Sequence, residues 1–162
     1  MSLTVLESIA VALVTRLEGM VNSSTYETSV SSVIRPTRNG GEYNIEDLQI
    51  VVRQGSEEIV DDLSYPGNPP SICKRQVFNL RCHVLPSELE STPIDTTINT
   101  FQADVIKCIT SGANWYQFGS LAIDTKLLAV ELINEDGGIG GFNLPVEITY
   151  RHSENDPYQV RA

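Results

Sequence analysis

From residue 142 to 150 the chain alternates. Leu144, Val146, Ile148 and Tyr150 occupy one set of positions, and Glu147, Thr149 and Arg151 continue the other. A period of two marks a strand with one buried face. Such a strand requires neighbours on its edges and an apolar layer over its face, so much of the chain must serve it. Residues 134–141, NEDGGIGG, come directly before it. Their glycines permit the positive φ of a tight turn, which predicts a hairpin tip and an antiparallel return. Beyond Tyr150 the sequence becomes polar and contains Pro157. Residues 151–162 are therefore expected to leave the body as an extended C-terminal arm.

Other segments supply the rest of a sheet. Phe78, Leu80, Cys82 and Val84 alternate with Val77, Asn79, Arg81 and His83, and Pro86 closes that strand. Leu48, Ile50 and Val52 alternate in the same way until Gln54-Gly55-Ser56, read as a break. A short partner is expected from Glu57 to Val60. Residues 25–35 predict a strand at a sheet edge, ended by Pro36 because proline has no N–H for a ladder. Residues 121–123 and 127–133 read as further strand.

Two segments have helical spacing instead. Leu3, Leu6, Ile9, Ala10, Leu13, Leu17 and Met20 lie three or four apart, forming one face of a helix. Thr4 and Glu7 have the spacing of a capping box. Ile98, Phe101, Val105, Cys108 and Ile109 form a second apolar face, with Asp95 or Thr96 as the expected N-cap and Gly112 as the stop. Trp115, Tyr116 and Phe118 follow and are expected to pin that helix to the sheet.

A chain of 162 residues is read as a single domain spanning 1–162. The expected fold class is α+β: an antiparallel sheet, or a mixed one, of about five strands, with two helices packed on one face and long loops. The loops are residues 61–72, rich in proline, and a second irregular stretch after Pro86.

The net charge of −10 argues against binding nucleic acid by phosphate neutralisation, which needs clustered Lys and Arg. No apolar run is long enough to span a membrane, and no signal peptide is read. Three cysteines, none in a CxxC pair, fit a reducing compartment. Cys82 and Cys108 fall on faces expected to be buried.

Catalytic signatures are weak. His83 and Cys82 are adjacent in a strand and point to opposite faces, so they cannot share a metal ion. His152 lies in the polar tail and is expected to be solvated. The glycines at 137–141 precede a strand rather than a helix, so they lack the arrangement that binds phosphate. The acids at Glu57-Glu58, Asp61-Asp62, Glu135-Asp136 and Glu154/Asp156 are read as solvated loop charge. The expectation is a non-enzyme with no cofactor and no metal.

Residues 66–88, PGNPPSICKRQVFNLRCHVLPSE, and 148–158, ITYRHSENDPY, together with the opening helix and the VIRPTR turn, resemble the tail terminator (tail completion, head–tail joining) family of tailed bacteriophages. The resemblance implies a structural virion protein, made in the host cytoplasm. It would assemble as a homo-oligomer, a hexameric ring, that caps the tail tube and joins it to the head-side connector or stopper. DNA would pass through the lumen, and no membrane partner is implied. The residues that carry the likeness are Arg35, Pro36 and Arg38 at the turn, Pro66, Gly67 and Pro69 in the loop, and Glu154, Asp156, Pro157 and Tyr158 in the tail. The resemblance implies intersubunit or ring–ring contacts for them, and docking surfaces for residues 61–72 and 134–141. The alternatives are another neck protein (a stopper or head-completion protein), a small-ligand or peptide-binding domain using Trp115, Tyr116 and Phe118, and a metal-dependent hydrolase using the loop carboxylates.

Overall fold

The structure is a computed structural model and describes residues 1–37, 43–87 and 91–161. Among these residues, two helices lie on one face of a seven-stranded mixed sheet. The elements in chain order are α1 (Val5–Glu18), β1 (Ser32–Ile34), β2 (Gln49–Ile59), β3 (Ser71–Val84), α2 (Ile94–Ile109), β4 (Asp124–Leu127), β5 (Glu131–Asn134), β6 (Gly140–Ser153) and β7 (Asp156–Val160).

The alternating strand is β6, and it is the centre of the sheet. One of its edges pairs with β3 over the whole run from Ser71↔Ser153 to Val84↔Gly140. Its other edge pairs in succession with β5, β4 and β7, three short strands that each take one segment. β2 lies antiparallel outside β3, and β1 lies parallel outside β2. That single parallel pair makes the sheet mixed.

The core is where periodicity placed it. Leu144, Val146, Ile148 and Tyr150 of β6 are buried with Phe78, Leu80, Cys82 and Val84 of β3 and with Ile50 and Val52 of β2. Residues directly opposite on paired strands share a face, so these side chains form one apolar surface. Ile9, Ala10, Leu13 and Leu17 of α1 and Ile98, Phe101, Val105 and Ile109 of α2 cover it. Phe101 meets Phe142 edge-on, with ring centroids 5.5 Å apart, a geometry contributing about 1 kcal/mol beyond area burial. Thr4 caps α1 as its spacing predicts, its Oγ1 accepting from the Glu7 N–H at 3.1 Å.

Several local expectations change. Residues 25–31 form no regular strand. The Thr28 N–H instead donates to the buried Asp104 carboxylate of α2 at 2.7 Å, and only Ser32–Ile34 joins the sheet. The capping expectation for α2 also changes: Pro93 occupies its N-cap, with no side-chain cap. Gln54-Gly55-Ser56 does not end β2. It is a bulge in which Gly55 and Ser56 together face Val77, and the buried Gln76 amide donates to the Gly55 and Ser56 carbonyls at 3.0 and 3.3 Å. The expected strands at 121–123 and 127–133 appear as β4 and β5, shifted towards the C-terminus.

The largest correction concerns the C-terminus. Residues 151–153 complete β6, the chain turns at Glu154-Asn155, and β7 returns along β6 as a hairpin. Polarity alone had suggested an arm, but a hairpin needs only backbone pairing. The side chains of β7 remain exposed, as its composition requires. Ser153 Oγ donates to Asn155 Oδ1 at 3.0 Å, and Asp156 Oδ1 accepts from the Tyr158 N–H at 3.1 Å, which fixes the turn.

Both histidines are buried, His83 on the strand face opposite Cys82 and His152 contrary to the expectation of a solvated tail. His83 is covered by Tyr43, whose hydroxyl lies 3.1 Å from Nε2. His152 is buried where β7 folds back beside it, with Nδ1 2.7 Å from the Ser153 carbonyl oxygen.

Candidate functional site

The residues singled out by sequence fall in two places. Arg35 follows β1 and reaches α1, where its guanidinium donates to both Glu7 carboxylate oxygens at 2.7 and 3.2 Å. The hydrogen bonds from Arg35 hold the Glu7 carboxyl below its ordinary range, against the opposing effect of burial. Pro36 follows, half-buried. Arg38 and the turn through Gly41 lie outside the described residues. Arg35 therefore braces a helix, with part of its side chain still accessible.

The other group is drawn together at one end of the sheet. The Tyr65 and Ser71 backbones exchange hydrogen bonds at 3.0 and 2.9 Å, closing the loop that carries Pro66, Gly67 and Pro69. The Glu154 N–H donates to the Pro70 carbonyl at 2.9 Å. The register Ser71↔Ser153 thus places the proline loop against the turn carrying Glu154, Asp156, Pro157 and Tyr158. Pro66, Gly67 and all four turn and β7 residues are exposed, and Pro69 is half-buried.

An open strand edge leads into this end. β1 pairs only with Gln49–Val51. Past Val51, the outer side of β2 has no partner strand among the described residues. Side chains 54–59 are exposed, Ile59 at 59%. The edge still holds its shape. Glu57 bonds Lys74 at 3.0 Å and accepts from the Tyr150 hydroxyl at 3.1 Å, and Glu58 pairs with Arg75. Burial, with the Glu57 charge adding to it, pushes the Tyr150 phenol well above its ordinary value. Glu57-Glu58 is therefore a braced strand pair and not loop charge; Asp61-Asp62 and Glu154/Asp156 remain exposed.

The loop over the far face is anchored by Arg151. Its Nε donates to the Leu63 carbonyl at 2.9 Å, and its guanidinium stacks 4.5 Å from the Tyr65 ring centroid. Cys73, opposite Arg151 on β3, is fully buried; burial raises its thiol while Arg151 opposes the rise. All three cysteines are free and buried. No group of three or more His, Cys, Asp and Glu side chains among the described residues could hold a metal ion. Phe118 is buried in the core under the Arg16 guanidinium, 4.2 Å from its ring centroid, and Trp115 meets Tyr116 edge-on. Phe118 and Trp115 pack with the core, while Tyr116 stays half-buried outside it.

The open β2 edge and the pairing of β7 escaped the sequence reading. For β7 the available signal was the turn-forming Asn155; for the β2 edge there was none, because Glu57-Glu58-Ile59-Val60 does not alternate past Gly55. Compared with known proteins, the chain matches no family model and no curated sequence.

Proposed function

We propose that this chain is a ring-forming structural subunit of a phage neck, a tail terminator that caps the tail tube and joins it to the head-side connector. The observation that supports this reading is the unpaired outer half of β2, which runs directly into the end formed by the proline loop and the β6–β7 turn. An exposed edge presents a row of free N–H and C=O groups, and adding a strand from a second copy satisfies them. Repeated head-to-tail, such a contact closes into a ring. Pro66, Gly67, Pro69, Glu154, Asp156, Pro157 and Tyr158 then form the surface presented to the next subunit or ring. The net charge of −10 suits a lumen along which DNA slides without adhering. On this reading the protein performs no catalysis and its partners are its own copies, the tube protein and the stopper.

The test is negative-stain imaging of the purified protein, alone and mixed with phage tails lacking a terminator. Rings, free or seated on tube ends, are expected. A protein that stays monomeric and leaves the tube ends bare refutes the proposal.

A further inference from the structure

The edge of β6 opposite β3 is tiled by three short strands, and the tiling has a gap. β4 pairs as far as Thr149, while β7 pairs at His152. Between them lies a notch of about 260 Å³, lined among others by Gln117, Ser120, Ala122, Ile123, Arg151 and Arg161. Among the described residues no acidic side chain lines it, in a chain with 21 Asp and Glu against 11 Lys and Arg.

Three features of this notch are costly without a ligand. The register His152↔Val160, with the Arg161 N–H donating to the Arg151 carbonyl at 3.3 Å, sets the two arginines directly opposite one another. Like charges in that position destabilise an antiparallel pair, and neither arginine has an ion-pair partner among the described residues. The Arg161 Nε is shielded from solvent and makes no hydrogen bond, leaving a donor unsatisfied. The chain reaches the notch through Phe118, Gly119 and Ser120, all at positive φ (46°, 66° and 73°). Left-handed backbone is uncommon for Phe and Ser, and such strain concentrates at functional sites.

We infer that the notch between β4 and β7 binds a compact oxyanion, a carboxylate or phosphate group, held by Arg151 and Arg161 with Ser120 at its rim. An oxyanion offsets the like charge of two arginines on facing positions and accepts from the unsatisfied Nε, since arginine donors match the geometry of such groups. Arg151 is held in place for this by Leu63 and Tyr65 and keeps donors free. The source is either a free ion or a side-chain carboxylate of a second copy. The inference does not depend on ring formation.

The test uses the whole protein labelled with ¹⁵N in phosphate-free, low-salt buffer. Inorganic phosphate is titrated while the Arg151 and Arg161 Nε–Hε signals and the Ser120 amide are followed. Saturable shifts are expected, weakened about tenfold in Arg151→Gln and in Arg161→Gln and retained in Lys126→Gln. Without phosphate, Arg161→Gln is expected to raise the thermal midpoint by about 1–3 °C, because it removes the like-charge pair. A dilution series separates the sources. Signals that move with protein concentration and are restored by phosphate assign the site to a neighbour's carboxylate, and signals that ignore concentration assign it to a free ion. Non-saturable shifts, shifts unchanged in both arginine variants, or a lowered midpoint for Arg161→Gln would overturn the inference.

Discussion

Gly141 lies opposite His83 of β3, at φ +138°, and a Cβ there would overlap the Cys82 carbonyl oxygen. The obstacle is backbone on a central strand, so it cannot rotate away. Gly141→Ala should therefore destabilise the fold by at least about 2 kcal/mol, read as a lower midpoint in urea. His83 makes a second prediction at this scale. Burial, with Arg81 adding to it, lowers its value from the ordinary 6.5. Tyr43 bonds its Nε2, Arg53 lies over the Tyr43 ring, and Gln49 and Gly141 flank it on the neighbouring strands. With the folded value depressed, the unfolded chain takes up the proton first as pH falls. The stability contributed by neutral His83 is thus fully present above about pH 6.5 and is lost below it, towards the folded value. Urea midpoints from pH 8 to 5 should show that decline, and His83→Gln should flatten it.

Among the elements, β2 depends on one side chain to survive its own interruption. Gln76 supplies the donors for the Gly55 and Ser56 carbonyls that the bulge withdraws from the ladder. Gln76→Ala should cost about 1–3 kcal/mol and raise amide exchange at 55–58 more than elsewhere in β2. The bulge also shows where sequence reading reaches its limit. Strong period-two segments were legible, so β3, β6 and the apolar face of each helix were assigned to the right layer. Gly55 was legible as an irregularity but not as a bulge, because the group that repairs it lies on another strand. β7 was missed for a related reason: a strand with no buried side chain carries no hydrophobic pattern. The burial of His83 and the Arg35–Glu7 pair depend on contacts between distant segments, which no local pattern encodes. The candidate surface was legible as two separate loops, and only the Ser71↔Ser153 register joins them.

For the whole molecule, the asymmetry of the sheet is the governing feature. One side is tiled by three short strands, while the other ends in a β2 edge that, among the described residues, pairs with a strand only at Gln49–Val51. The Val60 N–H bonds the Cys73 carbonyl at 2.9 Å, so strand alternation turns the Ile59 N–H outward. Ile59→Pro should then leave the monomer's circular dichroism unchanged and reduce assembly at least tenfold in concentration, as sedimentation velocity would show. The most direct test is hydrogen–deuterium exchange at the backbone amides of residues 53–59, compared between monomer and assembled ring. The account predicts rapid exchange of the outward-facing amides in the monomer and their selective protection on assembly. Rings that form with exchange at 53–59 unchanged would contradict it.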